Sequence, residues 1–195
     1  MTKASDARRA LIEKTALQLF ATRGYAEVSV RDIAQACGIG ESALYRHMSS
    51  KEELAIRVFR EAYIGFADGM LLATRPTETI GKKLGAFLTV MLSGFDQDPV
   101  LMRFLLIRQH DTLAMAITYD DVTPLTVVRD ALAIASLNNE LVVEDLDLAT
   151  ALVMGAALQP MTFMIYGRIP SPALSHHSAI LDGLIRLLGL NCIQA

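Results

Sequence analysis

One polar segment near the N-terminus carries the side chains best suited to bind a charged, hydrogen-bonding partner. Five such side chains fall between positions 41 and 47, namely Glu41, Ser42, Tyr45, Arg46 and His47. Lys51 follows at the expected start of the next helix, where unpaired backbone N–H groups already favour phosphate. Groups of this kind hold phosphate oxygens and read base edges. The segment therefore predicts a nucleic-acid-binding surface.

Two short helices joined by a glycine turn would position this segment. Ser29 followed by Asp32 predicts a capped helix start. Gly38 predicts the end of that helix, because glycine adopts positive φ without a Cβ clash. A second helix is expected over about 41–47, followed by a helix capped at Ser50. This pattern is a helix-turn-helix, whose second helix can enter the DNA major groove.

The residue order in this region closely resembles the DNA-binding signature of the TetR family of transcriptional regulators. It reads S-V-x-x-I-A-x-x-C-G-I-G-x-S-A-L-Y-R-H-M-x-S-K-E-E-L, and the resemblance covers Ala7 to about Leu54. The most specific matches are Ile33-Ala34, Gly38, Leu44-Tyr45, His47 and Lys51 to Leu54. The departures from the usual family residues are Cys37, Gly40, Ser42, Ala43 and Met48. Ser42 and Ala43 affect which operator bases are read.

The polar segment and the resemblance together assign two kinds of DNA contact. The residues predicted to hold phosphates are Arg31, Ser42, Tyr45, His47 and Lys51. The residues that lie where bases could be read are Gly40, Glu41, Ala43 and Arg46. The expected partner is a double-stranded DNA operator.

Charge is distributed in agreement with this assignment. Residues 1–51 contain eight basic and five acidic side chains, a balance of +3, whereas the rest of the chain carries −6. A net acidic protein can still bind DNA when its positive charge is concentrated on one face. A balance of +3 alone is also typical of an ordinary solvated helical surface. The location of this charge beside the helix-turn-helix is what favours DNA binding.

Composition predicts a large helical core and a cytoplasmic location. The chain has 195 residues, of which 52% are hydrophobic and 20% charged. No uninterrupted apolar run reaches the ~18 residues of a membrane span, and the most apolar piece, 148–158, is expected to be a buried helix. The N-terminus shows no hydrophobic signal region. Two cysteines, Cys37 and Cys192, are too few for a disulfide framework or a zinc site.

The predicted fold is all-α, with about nine helices and no strand, because no segment alternates at the strand period. Beyond the helix-turn-helix, helices are expected over 5–22, 50–73, 77–95, 98–115, 124–138, 145–166 and 172–189. A three-helix DNA-binding domain is predicted over 1–51, and a helical ligand-binding and dimerisation domain over 52–195. Several helix starts combine a capping residue with proline, as in Thr123-Pro124.

The last two helices predict a homodimer interface. They mix small and large apolar residues, Ala149, Ala151, Gly155, Ala156 and Ala157 in one, and Ala179, Gly183, Leu184, Leu187 and Leu188 in the other. Small residues allow close helix approach, so two copies could form a four-helix interface. The alternative is that both helices belong to the core of a monomer. The TetR resemblance implies the dimer, whose two reading heads would fit a near-palindromic operator.

The same resemblance implies a small-molecule pocket formed by the middle of the chain and the eighth helix. The expected apolar lining is Phe87, Met91, Met102, Leu106, Met115, Met154 and Met161, and the polar candidates are Arg103, Gln109, His110, Gln159 and Tyr166. Pro160 lies inside a helical pattern and is expected to kink or break it. Methionines at helical spacing are otherwise explained as ordinary core residues.

Enzymatic function, metal binding and cofactors are not expected. The sequence contains no Gly-rich phosphate loop, H-E-x-x-H or G-x-S-x-G pattern. Adjacent His176 and His177 would face about 100° apart on a helix, so they are not expected to share a metal site unless that helix start is irregular. The sequence therefore predicts a dimeric TetR-like regulator, a repressor released by an unidentified small molecule. A helical protein-interaction module without specific DNA binding is the alternative, and a mobility-shift assay distinguishes the two.

Overall fold

The computed structural model describes residues 3–75, 77, 79–118 and 120–190, and the side chains of these residues except 3, 4 and 109–114. All regular structure in this part of the chain is helical, which confirms the all-α prediction. The α-helices are α1 Lys3–Arg23, α2 Val30–Ala36, α3 Glu41–Leu44, α4 Lys51–Thr74, α5 Ile80–Gln97, α6 Pro99–Ala116, α7 Pro124–Leu137, α8 Leu146–Ile165 and α9 His177–Leu187, and a 3-10 helix spans Ala173–His176.

Side-chain caps set several of the helix starts. Thr123 accepts a hydrogen bond from the Thr126 backbone N–H, with proline in the first turn of α7, as predicted. The expected start near residue 77 is wrong, because α5 begins at Ile80, capped by Thr79. Glu140 also accepts the Ile80 backbone N–H at 2.8 Å, and this partner is distant in the sequence. The helix expected over 172–189 is instead a 3-10 turn followed by α9.

The chain forms two compact units, Met1–Ala62 with Val100–Tyr119, and Tyr63–Pro99 with Asp120–Ala195. The first unit contains α1 to α3, the start of α4, and α6. Phe104 of α6 lies in its core, with ring centroids 6.1 Å from Phe20 and 6.3 Å from Phe59. Residue 51, the predicted boundary of the DNA-binding domain, does not coincide with a boundary between these units.

The second unit is built around α5, which packs against α7, α8, the 3-10 helix and α9. The side chains that fill its core include Leu84, Leu88, Leu92, Leu132, Val153, Met161 and Leu184. Gly94 allows α5 to approach α4 closely, because a Cβ atom there would lie 2.5 Å from the Phe66 ring. Asp96 accepts the backbone N–H groups of Ala173 and Leu174 at 2.7 and 2.9 Å, which fixes the 3-10 helix against α5.

α8 differs from its prediction in two ways. It runs as one helix through Pro160, so of the kink or break expected there the break does not occur. It is also not buried all round, since Leu148 and Phe163 are 57% and 43% exposed. By length and composition alone this helix could cross a membrane. Its buried face, which includes Val153 and Met161, nevertheless packs in the core of the second unit.

Candidate functional site

The turn between α2 and α3 is fixed by local hydrogen bonds. Ser29 accepts the Asp32 backbone N–H at 3.1 Å, and Asp32 accepts the Ser29 backbone N–H at 2.8 Å, which confirms the predicted capping box. Two hydrogen bonds lower the pKa of the Asp32 carboxyl group. The larger effect comes from the Ser29 hydroxyl and the smaller one from the Ser29 backbone N–H. Gly38 has φ +66°, and the next backbone N–H, of Ile39, reaches the Ala34 carbonyl at 3.0 Å.

α3 presents a polar face above a single buried anchor. Leu44 is fully buried, whereas Glu41, Ser42 and Arg46 are exposed and Tyr45 is 51% exposed. Helical spacing explains this arrangement, since one residue per turn packs inward. The helix is one turn long and continues as a turn through His47, which is shorter than the predicted 41–47. The exposed side chains are those that the sequence assigns to DNA.

The other predicted DNA contacts surround this face. Gly40 caps α3 with extended backbone and without a side-chain hydrogen bond. Ala43 and His47 are half-buried, and Arg31 is exposed on α2. The structure therefore brings the predicted residues of α3 together on one short segment, while Arg31 lies on the neighbouring helix.

Lys51 already has partners within the protein. Its ammonium donates to the carbonyl oxygens of Tyr25 and Val28 at 2.9 and 2.8 Å, and lies 4.3 Å from the centroid of the Tyr25 ring. A lysine ammonium carries three N–H donors. Lys51 therefore ties the α1–α2 turn to the start of α4.

Arg57 on α4 forms a brace that sequence reasoning missed. Its guanidinium bonds to Glu13 of α1 at 2.9 Å, to Glu53 on its own helix, and to the His47 carbonyl at 3.2 Å. Arg57 and Glu13 are only 18% and 16% exposed, so these charge-assisted bonds are partly shielded from water. The spacing of Glu53 and Arg57 suits a helix pair, but the contacts with α1 and His47 depend on tertiary packing.

A small apolar cavity lies inside the second unit. Its volume is about 20 Å³, and its lining is Met70, Leu84, Phe87, Leu88, Met91, Val128, Val153, Met154, Ala157, Leu158 and Leu184. The space is comparable to about one water molecule. Phe87, Met91 and Met154 were predicted for a ligand pocket, and the structure brings these three together.

The other residues predicted for the pocket do not line this cavity. Arg103, Met102, Leu106 and Met115 belong to α6 in the first unit, since α6 packs with α1. Gln159 and Tyr166 are exposed, and Met161 is buried but does not line the cavity. The side chains of Gln109 and His110 lie outside the described residues.

Two histidines expected not to form a metal site have structural partners. The ring of His177 lies 2.9 Å from the Gly85 carbonyl and 3.2 Å from the Thr89 hydroxyl, whereas His176 reaches the Pro170 carbonyl at 2.8 Å. Within the part of the chain that the structure describes, no group of three or more His, Cys, Asp or Glu side chains could hold a metal ion.

Comparisons with known proteins agree with the geometry of the first unit. The family described as bacterial regulatory proteins, tetR family, matches residues 12–58. The uncharacterized HTH-type transcriptional regulator YerO of Bacillus subtilis (strain 168) is 37% identical over 82 residues, which cover 38% of this chain and 28% of that protein. The HTH-type transcriptional repressor KstR2 of Rhodococcus jostii (strain RHA1) is 29% identical over 144 residues, 71% of this chain and 62% of that protein.

The chain thus spans less than two thirds of the length of these two curated relatives. The crystal structure of the transcriptional regulator FadR from Bacillus subtilis, in complex with stearoyl-CoA, aligns with a TM-score of 0.74. The alignment covers 90% of this chain and 97% of that one at 19% identity, which shows a shared fold. The helix-turn-helix of α2 and α3 therefore lies in a segment, residues 12–58, that matches the bacterial regulatory proteins of the tetR family, and the chain as a whole shares the fold of FadR.

Proposed function

We propose that this chain is a homodimeric transcriptional repressor that binds a double-stranded DNA operator and is released from it by a small molecule. The observation that carries the proposal is the polar face of α3, held over buried Leu44 beside a capped α2. A short helix of this kind places its side chains against base edges and phosphates. KstR2, one of the relatives, is named an HTH-type transcriptional repressor, which supports the proposal.

The individual roles follow from exposure and chemistry. Arg46 and Glu41 are exposed side chains that can reach base edges, where arginine pairs with guanine and a carboxylate accepts from cytosine. Gly40 and Ala43 allow the backbone of α3 to approach the bases. Arg31, Ser42, Tyr45, His47 and the third donor of Lys51 would hold phosphates.

Dimerisation through α8 and α9 is supported by the apolar face that these two helices leave exposed. On α8 this face includes Leu148, Leu152, Gly155 and Phe163, and on α9 it includes Gly183 and Leu187. A Cβ atom built at Gly155 or Gly183 would meet no atom within 4 Å, so both positions are open within one chain. A second copy would cover this surface, and we therefore place the protein in the cytoplasm rather than in a membrane.

The ligand site of this proposal is the apolar cavity of the second unit. FadR from Bacillus subtilis, which shares the fold, is in complex with stearoyl-CoA, and its long acyl chain supports an apolar ligand here. A cavity of about 20 Å³ holds no such molecule, so binding requires α5, α7 or α8 to move. A ligand that binds the expanded state more tightly would shift the population toward it and could thereby change the DNA affinity.

A mobility-shift assay with DNA from upstream of the gene tests the DNA-binding half of the proposal. The wild-type protein should retard a specific fragment in the presence of excess unrelated DNA. The variants Tyr45→Ala and Arg46→Ala should lose that shift, whereas Arg168→Ala, an exposed arginine in the second unit, should keep it. Equal retardation of specific and unrelated fragments would favour a protein-interaction module instead.

A further inference from the structure

A second cavity lies entirely within the first unit, between the end of α1, the turn that follows it, and α6. Its volume is about 240 Å³, and its lining is Phe20, Ala21, Thr22, Arg23, Gly24, Tyr25, Arg103, Phe104, Ile107 and Arg108. Three of these side chains are arginines and three are aromatic, and none of the described lining residues is acidic. This cavity therefore has a positively charged wall, whereas the cavity in the second unit is lined by apolar residues.

The aromatic part of the wall is a connected cluster. The ring centroids of Phe20 and Tyr25 lie 5.3 Å apart, and Phe20 stacks on Phe104 at 6.1 Å. Arg108 places its guanidinium carbon 4.2 Å from the Tyr25 ring centroid, a cation–π distance. The cavity thus has an aromatic side, against which a ligand body could pack.

The charged part of the wall is accessible. Arg103 is exposed on α6, and the ion pair of Arg23 with Asp32 is long, 3.4 Å, and exposed. Exposed ion pairs contribute little free energy, so that pair competes weakly with a ligand. Guanidinium groups bind phosphate and carboxylate through parallel N–H donors. We propose that this cavity binds a small organic anion, with a phosphate or carboxylate at the arginines and an aromatic or aliphatic body against Phe20 and Ile107.

The position of the cavity connects it with DNA binding, and this step rests on the proposed function. Tyr25, one wall of the cavity, also supports Lys51 through its carbonyl at 2.9 Å and its ring at 4.3 Å. Lys51 and Arg108 both contact the Tyr25 ring. An anion that draws Arg108 away from this ring would therefore alter the position of Tyr25 and its contacts with Lys51 at the start of α4. Occupancy of the cavity should therefore alter DNA affinity.

Calorimetric titration of the full chain with phenyl phosphate, without DNA, tests the binding site. Wild-type protein should show saturable binding, and benzyl alcohol, which lacks the anionic group, should not bind. Arg103→Gln should weaken phenyl phosphate binding about tenfold, the effect of losing one charge-assisted hydrogen bond. The matched control Arg168→Gln should bind as wild type. Absence of saturable binding, or equal affinity of Arg103→Gln and wild type, would overturn the proposal.

A DNA-binding titration at constant ionic strength tests whether occupancy of the cavity alters DNA affinity. It also tests whether the arginines bind the DNA backbone instead of a small anion. Saturating phenyl phosphate should change the DNA affinity of wild type but not of Arg103→Gln, and unchanged affinity in wild type would refute the connection. If phenyl phosphate does not bind and Arg103→Gln lowers the salt slope of DNA binding by about one, the arginines hold the DNA backbone and the small-anion site is refuted. Because the calorimetry contains no DNA, its outcome does not depend on the proposed function.

Discussion

At the scale of single residues, Arg46 is the side chain on which base reading most depends in this account. It is exposed in the turn that follows α3, and its guanidinium can form two hydrogen bonds with one guanine. Arg46→Ala should weaken binding to the specific operator by about tenfold or more, measured by fluorescence anisotropy at fixed salt. Affinity for unrelated DNA should fall much less. An equal loss on both DNAs would show that Arg46 contacts phosphate rather than a base.

Arg57 is expected to matter for stability rather than for contact with DNA. Arg57→Met keeps the aliphatic part of the side chain but leaves Glu13 and the His47 carbonyl without the guanidinium. The free energy of unfolding should decrease by about 2 kcal/mol, measured by urea denaturation followed by circular dichroism.

The matched control for Arg57 is Arg168→Met, which removes an arginine from an exposed position in the second unit. Its unfolding free energy should stay within about 0.5 kcal/mol of wild type. If Arg57→Met is as stable as this control, the brace does not stabilise the first unit.

The carboxyl group of Asp32 gives a pH prediction. Hydrogen bonds from Ser29 hold its pKa below the ordinary value of 3.8. A carboxylate with a depressed pKa in the folded state stabilises the fold above the unfolded value, and the contribution is lost as pH falls through the folded value. Ser29→Ala should raise the pKa of Asp32, as read from the NMR titration of its side-chain carboxyl carbon. An unchanged pKa would mean that the capping box does not form in solution.

At the scale of elements, local signals in the sequence were sufficient for most helices. Thr123-Pro124 and the Ser29–Asp32 pair predicted starts that the structure confirms, because a cap depends on residues within one turn. Distant partners explain the failures. The start of α5 has a local cap, Thr79, but it is also held by Glu140, which lies 60 positions away. The 3-10 helix is likewise held by Asp96, and neither contact leaves a signal in the local sequence.

The interface helices give a prediction that separates folding from assembly. Gly155→Leu and Gly183→Leu place a side chain in space that is open within one chain. Both variants should fold, although a dimer that packs these helices closely should dissociate to monomers, as measured by sedimentation velocity. Gly65→Leu is the matched control on α4, since its Cβ position is also open.

Sedimentation of the same three variants can also contradict a dimer interface formed by α8 and α9. If Gly155→Leu and Gly183→Leu sediment as dimers with the same dissociation constant as Gly65→Leu, then α8 and α9 do not meet across the dimer. Circular dichroism of each variant confirms that a change in assembly is not a loss of helix.

At the scale of the whole molecule, the residues predicted for DNA contact lie close together in the structure, whereas those predicted for the ligand pocket are divided between two cavities and the exposed surface. Glu41 and Ser42 lie on α3 and Tyr45 and Arg46 in the turn that directly follows it, so their common exposure depends on one short segment of the chain. A ligand site is built from several helices, and its lining depends on which helix packs where. Arg103 was assigned to the pocket with Phe87, but α6 belongs to the first unit and places Arg103 at a different cavity. No local pattern distinguishes these two outcomes.

The central claim is that two copies of α3 read an operator on one face of DNA. Hydroxyl-radical footprinting of the upstream fragment tests it most directly, because it reports the number and spacing of protected segments. Wild-type protein should protect two half-sites whose centres lie about one helical turn, roughly 34 Å, apart or a multiple of it. Arg46→Ala should lose both at the same protein concentration. A single protected segment, or a footprint that Arg46→Ala leaves unchanged, would contradict the account.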